Sequence, residues 1–76
     1  MAHYSKITVQ YRDGSKATKT RVSLGFDHGG NTDSFFTDDY GTAVIEHHAT
    51  GRAEVYVRGM KAGIIDAPGK ITVTIS

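Results

Sequence analysis

Two aspartates stand side by side in the run Phe35-Phe36-Thr37-Asp38-Asp39-Tyr40-Gly41. Paired carboxylates can hold a cation or share a proton, so these residues are the first place to look for chemistry. Neighbours on an extended chain point to opposite sides, however, and seldom converge on one ligand. The pair is therefore expected to make a turn. Thr37 and Asp38 would bond to the turn backbone, and Gly41 would take a conformation that a side chain resists. One of Phe35 and Phe36 is expected in the core, which leaves Tyr40 for the rim of the core or for an interface.

Four histidines, His3, His28, His47 and His48, offer a second chemistry. A zinc-type site would join His47 or His48 to His28 and Asp27, because imidazole and carboxylate suit such ions. His47 and His48 are adjacent and cannot both face one ion on a regular strand, so exposed strand-end histidines are the expectation. Calcium would draw on Asp27, Asn31 and Asp33, with Asp38 and Asp39 from a second loop. It asks for about six to eight oxygens, and this spacing matches no calcium loop. Asp27 and Asn31 are expected instead to cap a hairpin loop through their own backbone. Hydrolysis by a histidine and a carboxylate would need a nucleophile such as Ser23 or Ser34, and the sequence does not bring these groups together. It shows no nucleophile elbow, phosphate-cradling glycine loop or HExxH helix. No cofactor is expected.

The elements that must position these groups are short. Six valines, six isoleucines and nine threonines stand against a single leucine, and nine glycines punctuate the chain. Branching at Cβ favours extended backbone and crowds a helix, so the chain reads as nearly all β. At 76 residues it can form one core, burying roughly 60–65% of its unfolded surface. A single domain over residues 1–76 is expected. There is no cysteine, which removes disulfides, zinc-thiolate knots and thiolate nucleophiles. Neither a signal peptide nor a membrane-spanning segment is read, and the cytoplasm is slightly favoured. The opening Met1 suits a whole small protein or the amino-terminal piece of a larger one.

Alternation at period two marks the strands. Tyr4 to Tyr11 comes first, followed by the turn pair Asp13-Gly14. Thr20 to Phe26 resumes with Val22, Leu24 and Phe26 on one face. A loop over Asp27 to Asn31 leads to a short strand over Thr32 to Phe36. Thr42 to His47 places Ala43, Ile45 and His47 together, and Gly51 helps to reverse the chain. Arg52 to Arg58 is the cleanest amphipathic strand, with Ala53, Val55 and Val57 inward. Met60 to Asp66 is ambiguous between an edge strand and a plug of the core. Pro68 and Gly69 form a turn before Ile71, Val73 and Ile75. Six or seven antiparallel strands with regular turns predict a small immunoglobulin-like or prealbumin-like β-sandwich.

The run from Val22 to Val57 resembles the small sandwich modules related to transthyretin and to the regulatory domain of carboxypeptidases, and more loosely the bacterial immunoglobulin-like domains. The matching residues are Val22 and Leu24, the turn Thr37-Asp38-Asp39-Tyr40-Gly41, then Ala43 and Ile45, then Gly51, then Val55 and Val57. This resemblance implies an accessory, adhesive or interaction domain without catalysis. It also leaves open a transthyretin-like hydrolase acting through histidines, beside the cation-binding alternative.

One outward stripe is suited to a partner. Arg52, Glu54, Tyr56 and Arg58, beside Val44 and Glu46 of the preceding strand, combine tyrosine and arginine, which anchor many interfaces. If the two strands are neighbours, Arg52 or Arg58 would pair with Glu46 across the sheet and leave a salt-laced solvated face. The expected partner is another protein or a second copy of the chain. The net charge is only +1, with both signs interspersed, so no nucleic-acid partner is expected. Arg12, Lys16, Lys19 and Arg21 make at most a weak polyanion patch, and charge near an edge strand also deters aggregation.

Overall fold

Inward residues at every second position decide which side of each strand enters the core. The computed structural model describes residues 2–76. They form β1 (His3–Tyr11), β2 (Arg21–Phe26), β3 (Gly30–Asn31), β4 (Phe35–Phe36), β5 (Thr42–His47), β6 (Gly51–Val57), β7 (Met60–Ala67) and β8 (Lys70–Ile75). Ile7 and Val9 of β1, Val22, Leu24 and Phe26 of β2, Ala43 and Ile45 of β5, and Ala53, Val55 and Val57 of β6 are all buried in one cluster. Ile65, Ala67 and Val73 complete it from β7 and β8. The chain is a small all-β sandwich of two sheets.

One sheet has the order β5-β1-β8, and the other β3-β2-β6-β7 with β4 also on β2. The pairing of β1 with β5 is antiparallel, as expected, whereas β1 and β8 run parallel from Lys6 beside Lys70 to Tyr11 beside Ile75. The cause lies in the route: the turn at Pro68 and Gly69 carries the chain from the edge of one sheet to the edge of the other, so β8 opposes β7 and follows β1.

Two other expectations are corrected and one left open is resolved. Of the strand predicted over Thr32 to Phe36 only Phe35–Phe36 is strand, as β4, and a second fragment, β3, lies in the predicted loop at Gly30–Asn31; both pair with the same edge of β2. Thr32 bridges them, its N–H donating to Leu24 O and its hydroxyl accepting from Leu24 N–H. The ambiguous Met60–Asp66 segment is the first part of an eight-residue edge strand. Its alternation is broken by a bulge, because Val55 opposes Gly63 while Tyr56 opposes Lys61, leaving Ala62 as the extra residue. Asp13-Gly14 does turn the chain, with Gly14 N–H donating to Tyr11 O, but the returning arm makes a single bridge, Lys16 to Gln10, before crossing sheets.

The Thr37-to-Gly41 segment behaves as a turn. The Asp38 carboxylate accepts from the N–H groups of Tyr40 (2.8 Å) and Thr42 (3.0 Å). Gly41 has φ +74°, and a Cβ there would lie 2.8 Å from Val9 O, so the turn closes directly onto β1. Phe35 packs on the core and Phe36 is exposed. Thr37 bonds elsewhere: buried, it accepts from Thr20 N–H at 2.8 Å and donates to Ala17 O at 2.6 Å.

The two-residue turn from β6 to β7 is Arg58-Gly59, with φ of 54° and 81°. Such a turn favours Asn-Gly, and the crowding of Cβ against the backbone carbonyl oxygen makes left-handed backbone costly for arginine. Arg58→Gly is expected to stabilise the fold by up to about 1 kcal/mol in urea unfolding. A loss of stability would show that the Arg58 side chain contributes more to the fold than its backbone conformation costs.

Candidate functional site

Of the expected stripe, Arg52, Glu54 and Tyr56 lie on β6, whereas Arg58 falls in the turn after it, and the partners differ from those expected. Arg52 Nη1 donates to Asp27 Oδ2 at 3.0 Å, joining β6 to the loop after β2. Tyr56 lies across Gly25 of β2, where a Cβ would come within 2.9 Å of the ring. Its hydroxyl donates to Glu54 Oε2 at 2.5 Å, and Lys61 Nζ stands 3.7 Å from Glu54 Oε1. Arg58 Nη2 donates to Tyr11 OH at 3.0 Å, across the two sheets. Val44 and Glu46 do not belong to this surface. They lie in β5, in the other sheet, where Val44 opposes Lys6 and Glu46 opposes Tyr4. The expectation that β5 and β6 are neighbours is therefore corrected, and with it any pairing of Arg52 or Arg58 with Glu46. Alternation specifies the face of a strand and leaves its neighbour open.

His47 is not an exposed strand-end residue. It is buried, its ring near His3 (6.0 Å between centroids) and Phe26 (5.2 Å). Nδ1 lies 2.7 Å from Ala49 O, which can only accept, so Nδ1–H is the donor. In the neutral ring Nε2 then accepts from Ser5 Oγ–H, also at 2.7 Å. Ser5 in turn accepts from Gly69 N–H at 3.3 Å. Sequence reasoning missed Ser5, although its phase with Ile7 and Val9 was the available signal. A serine on a histidine resembles an activated nucleophile, yet Ser5 is 1% exposed, and substrate could reach it only if β1 moved. Ser23 opposes Tyr56 and Ser34 precedes β4; neither bonds a histidine among the described residues.

The candidate metal ligands do not converge. Among the described residues no three His, Asp or Glu side chains are placed to hold an ion. Asp27 is turned to Arg52, Asp38 to its own turn, and both His47 nitrogens are engaged. His28, Asp39 and His48 are exposed. Asn31, Asp33 and His47 do border one cleft of about 270 Å³, at the end of the sandwich that carries the β2–β3 loop.

At the opposite end, three large side chains project from the fold. Phe36 is 67% exposed, Tyr40 76% and Met60 74%. Phe36 opposes Arg21 at the start of β2, Tyr40 precedes β5, and Met60 begins β7. The topology puts all three toward one end of the 35 Å long axis, here the cap, with Phe36 and Met60 at opposite edges of the five-stranded sheet; Tyr4, Val44 and Ile64 are exposed elsewhere. Of the three at the cap the sequence singled out Tyr40 alone. Period two would have sent either Phe35 or Phe36 outward, and the bulge hid the phase of Met60.

Two outcomes follow from this geometry. Ser5→Ala leaves the Gly69 N–H and His47 Nε2 without a partner, and should destabilise by about 1–3 kcal/mol in urea; an unchanged midpoint would deny the pair a structural role. The hydrogen bond to Glu54 raises the Tyr56 pKa above its ordinary value of 10.0, followed in effect by desolvation and the Glu54 charge. A raised phenol favours the folded state below the ordinary value, and that contribution is lost as pH climbs through the folded one. Tyrosinate absorbance should show the Tyr56 phenol ionising above its ordinary value, and in Glu54→Gln that shift should shrink.

No protein-family model matches the chain, and no curated protein or solved structure is significantly similar to it. The two-sheet, all-β sandwich therefore stands on the chain's own physics.

Proposed function

We propose that the chain acts without catalysis as an interaction, adhesion or assembly module that binds another protein or a second copy of itself. The observation that supports this reading is the cap formed by Phe36, Tyr40 and Met60. Burying one such side chain is worth roughly 1.5–3 kcal/mol, and the core closes without any of them. They sit on strand ends and a tight turn held by hydrogen bonds, so little conformational freedom would be lost on docking. Aromatic residues and methionine are the types enriched at interfaces. The Tyr56 stripe adds a second, more polar outward surface whose charges are already partnered within the fold.

The finer kinship in this proposal is to transthyretin-like and carboxypeptidase-regulatory-like modules, loosely immunoglobulin-like. The Thr37-to-Gly41 turn leading into β5 and the two facing sheets support it.

A photo-crosslinking residue at position 40, compared with one at position 72 on the far outer face, tests the interaction reading in the source cell. Protein adducts are expected at position 40 and not at 72. An adduct of twice the chain mass identifies a second copy, which sedimentation equilibrium should reproduce. Equal labelling at both positions, or no protein adduct at 40, would sink the reading.

A further inference from the structure

The chain is nearly neutral, yet its charges are divided along its length. Six basic residues, Arg12, Lys16, Lys19, Arg21, Arg58 and Lys61, lie at the end where β1, β6 and β8 finish and β2 and β7 begin. Only Asp13, Asp38 and Asp39 oppose them there. Asp13 accepts from Ser15 and Asp38 from its own turn, so two of the three carboxylates are already engaged. The other five acidic residues lie along the middle or at the far end. With a cross-section of 19 × 17 Å, charges on this cap act within about two screening lengths of each other.

Five of these six basic side chains lack a carboxylate partner. Among the described residues the ion pairs are Arg52 with Asp27 and Lys61 with Glu54, which leaves Arg12, Lys16, Lys19, Arg21 and Arg58 outside any. Two of these five have left-handed backbone: Lys19 (φ 50°) and Arg58 (φ 54°) are the two non-glycine residues with positive φ among those described. Glycine or asparagine fits such positions with less strain. Arg58 also bonds Tyr11 OH, so it is Lys19 whose strained backbone most directly motivates a role outside the fold. Arg21 and Arg58 also flank one turn, since the Arg21 guanidinium lies 3.6 Å from where a Gly59 Cβ would be, and Arg21 opposes the exposed Phe36.

We propose that this cap binds an acidic segment of a partner protein, one whose carboxylates alternate with apolar side chains. The proposal rests on the interaction reading above and adds the partner's chemistry. Guanidinium groups donate two hydrogen bonds to one carboxylate, and Phe36, Tyr40 and Met60, exposed toward the same end, would supply apolar contacts. A nucleic-acid strand is the poorer fit, because the net charge is only +1 and Asp13, Asp38 and Asp39 lie at the same end as the basic groups.

The test uses the full chain and fluorescence anisotropy with a labelled short peptide in which Glu alternates with Leu and Phe. Its comparators are the same peptide with Lys for Glu, and an oligothymidylate of similar length. The Glu peptide should bind, more weakly as salt rises, and Lys19→Asn with Arg58→Gly should weaken it by about tenfold or more. The melting midpoint of that double variant should hold or rise, so a lost fold cannot mimic lost binding. Lys70→Gln, at the far end, should bind as the parent does. Equal binding of the Lys peptide, tighter binding of the oligothymidylate, or an unaffected double variant would overturn the proposal. Failure of the Glu peptide while position 40 still crosslinks to protein would overturn the acidic partner and leave the interaction reading standing.

Discussion

Four buried polar side chains, Ser5, Thr20, Thr37 and His47, hold the places where this chain changes sheets. The backbone crosses between sheets four times, after β1, β4, β5 and β7. At one end Thr37 ties the β4–β5 crossing to the β1–β2 crossing through Ala17 O and Thr20 N–H. At the other, His47 holds Ala49 of the β5–β6 crossing, and Ser5 holds Gly69 of the β7–β8 crossing, with the two joined by one hydrogen bond. A crossing cannot satisfy its backbone from a strand ladder, and an orphaned buried donor costs about 1–3 kcal/mol. Each clamp therefore serves two crossings at once. Among the described residues no buried side-chain polar atom lacks a partner.

This arrangement explains what could and could not be read in the sequence. Strands with unbroken alternation, such as β1, β2, β5, β6 and β8, declared their inward faces, because a half-buried strand must repeat every second residue. The turns at Asp13-Gly14, Thr37 to Gly41 and Pro68-Gly69 were legible from residues that suit tight backbone. Sheet membership was not, since Val44 and Tyr56 carry the same outward signal whether or not their strands touch. The bulge at Ala62 erased the period of β7, and the interruption between β3 and β4 concealed that they serve one edge. The clamps were hidden for a different reason: a polar residue in an inward phase looks like an exception until its partners, far away in sequence, are known. His47 was placed correctly on the inward face and still read as exposed.

The surface divides in a comparable way. On the outer face of the five-stranded sheet the charges are spent on one another, Arg52 on Asp27 and Lys61 on Glu54. At the cap they are not, and the apolar residues there remain uncovered. Of the six large apolar or aromatic side chains left exposed, three lie at that end, and Tyr4, Val44 and Ile64 lie elsewhere. The proposed partner surface is that end, held in shape by the Thr37 clamp and the Asp38 turn beneath it.

The parallel pair formed by β1 and β8 has a mechanical side. The chain enters β1 at one end of the sandwich and leaves β8 at the other, while the two strands lie bonded along their length from Lys6 to Tyr11 and Lys70 to Ile75. Tension applied across these two strands would slide them past each other and load the whole ladder in shear, whereas a hairpin pulled from its open end parts one bond at a time. Forced unfolding is governed by the barrier to rupture, and in this sandwich that barrier is set by six facing residue pairs acting together.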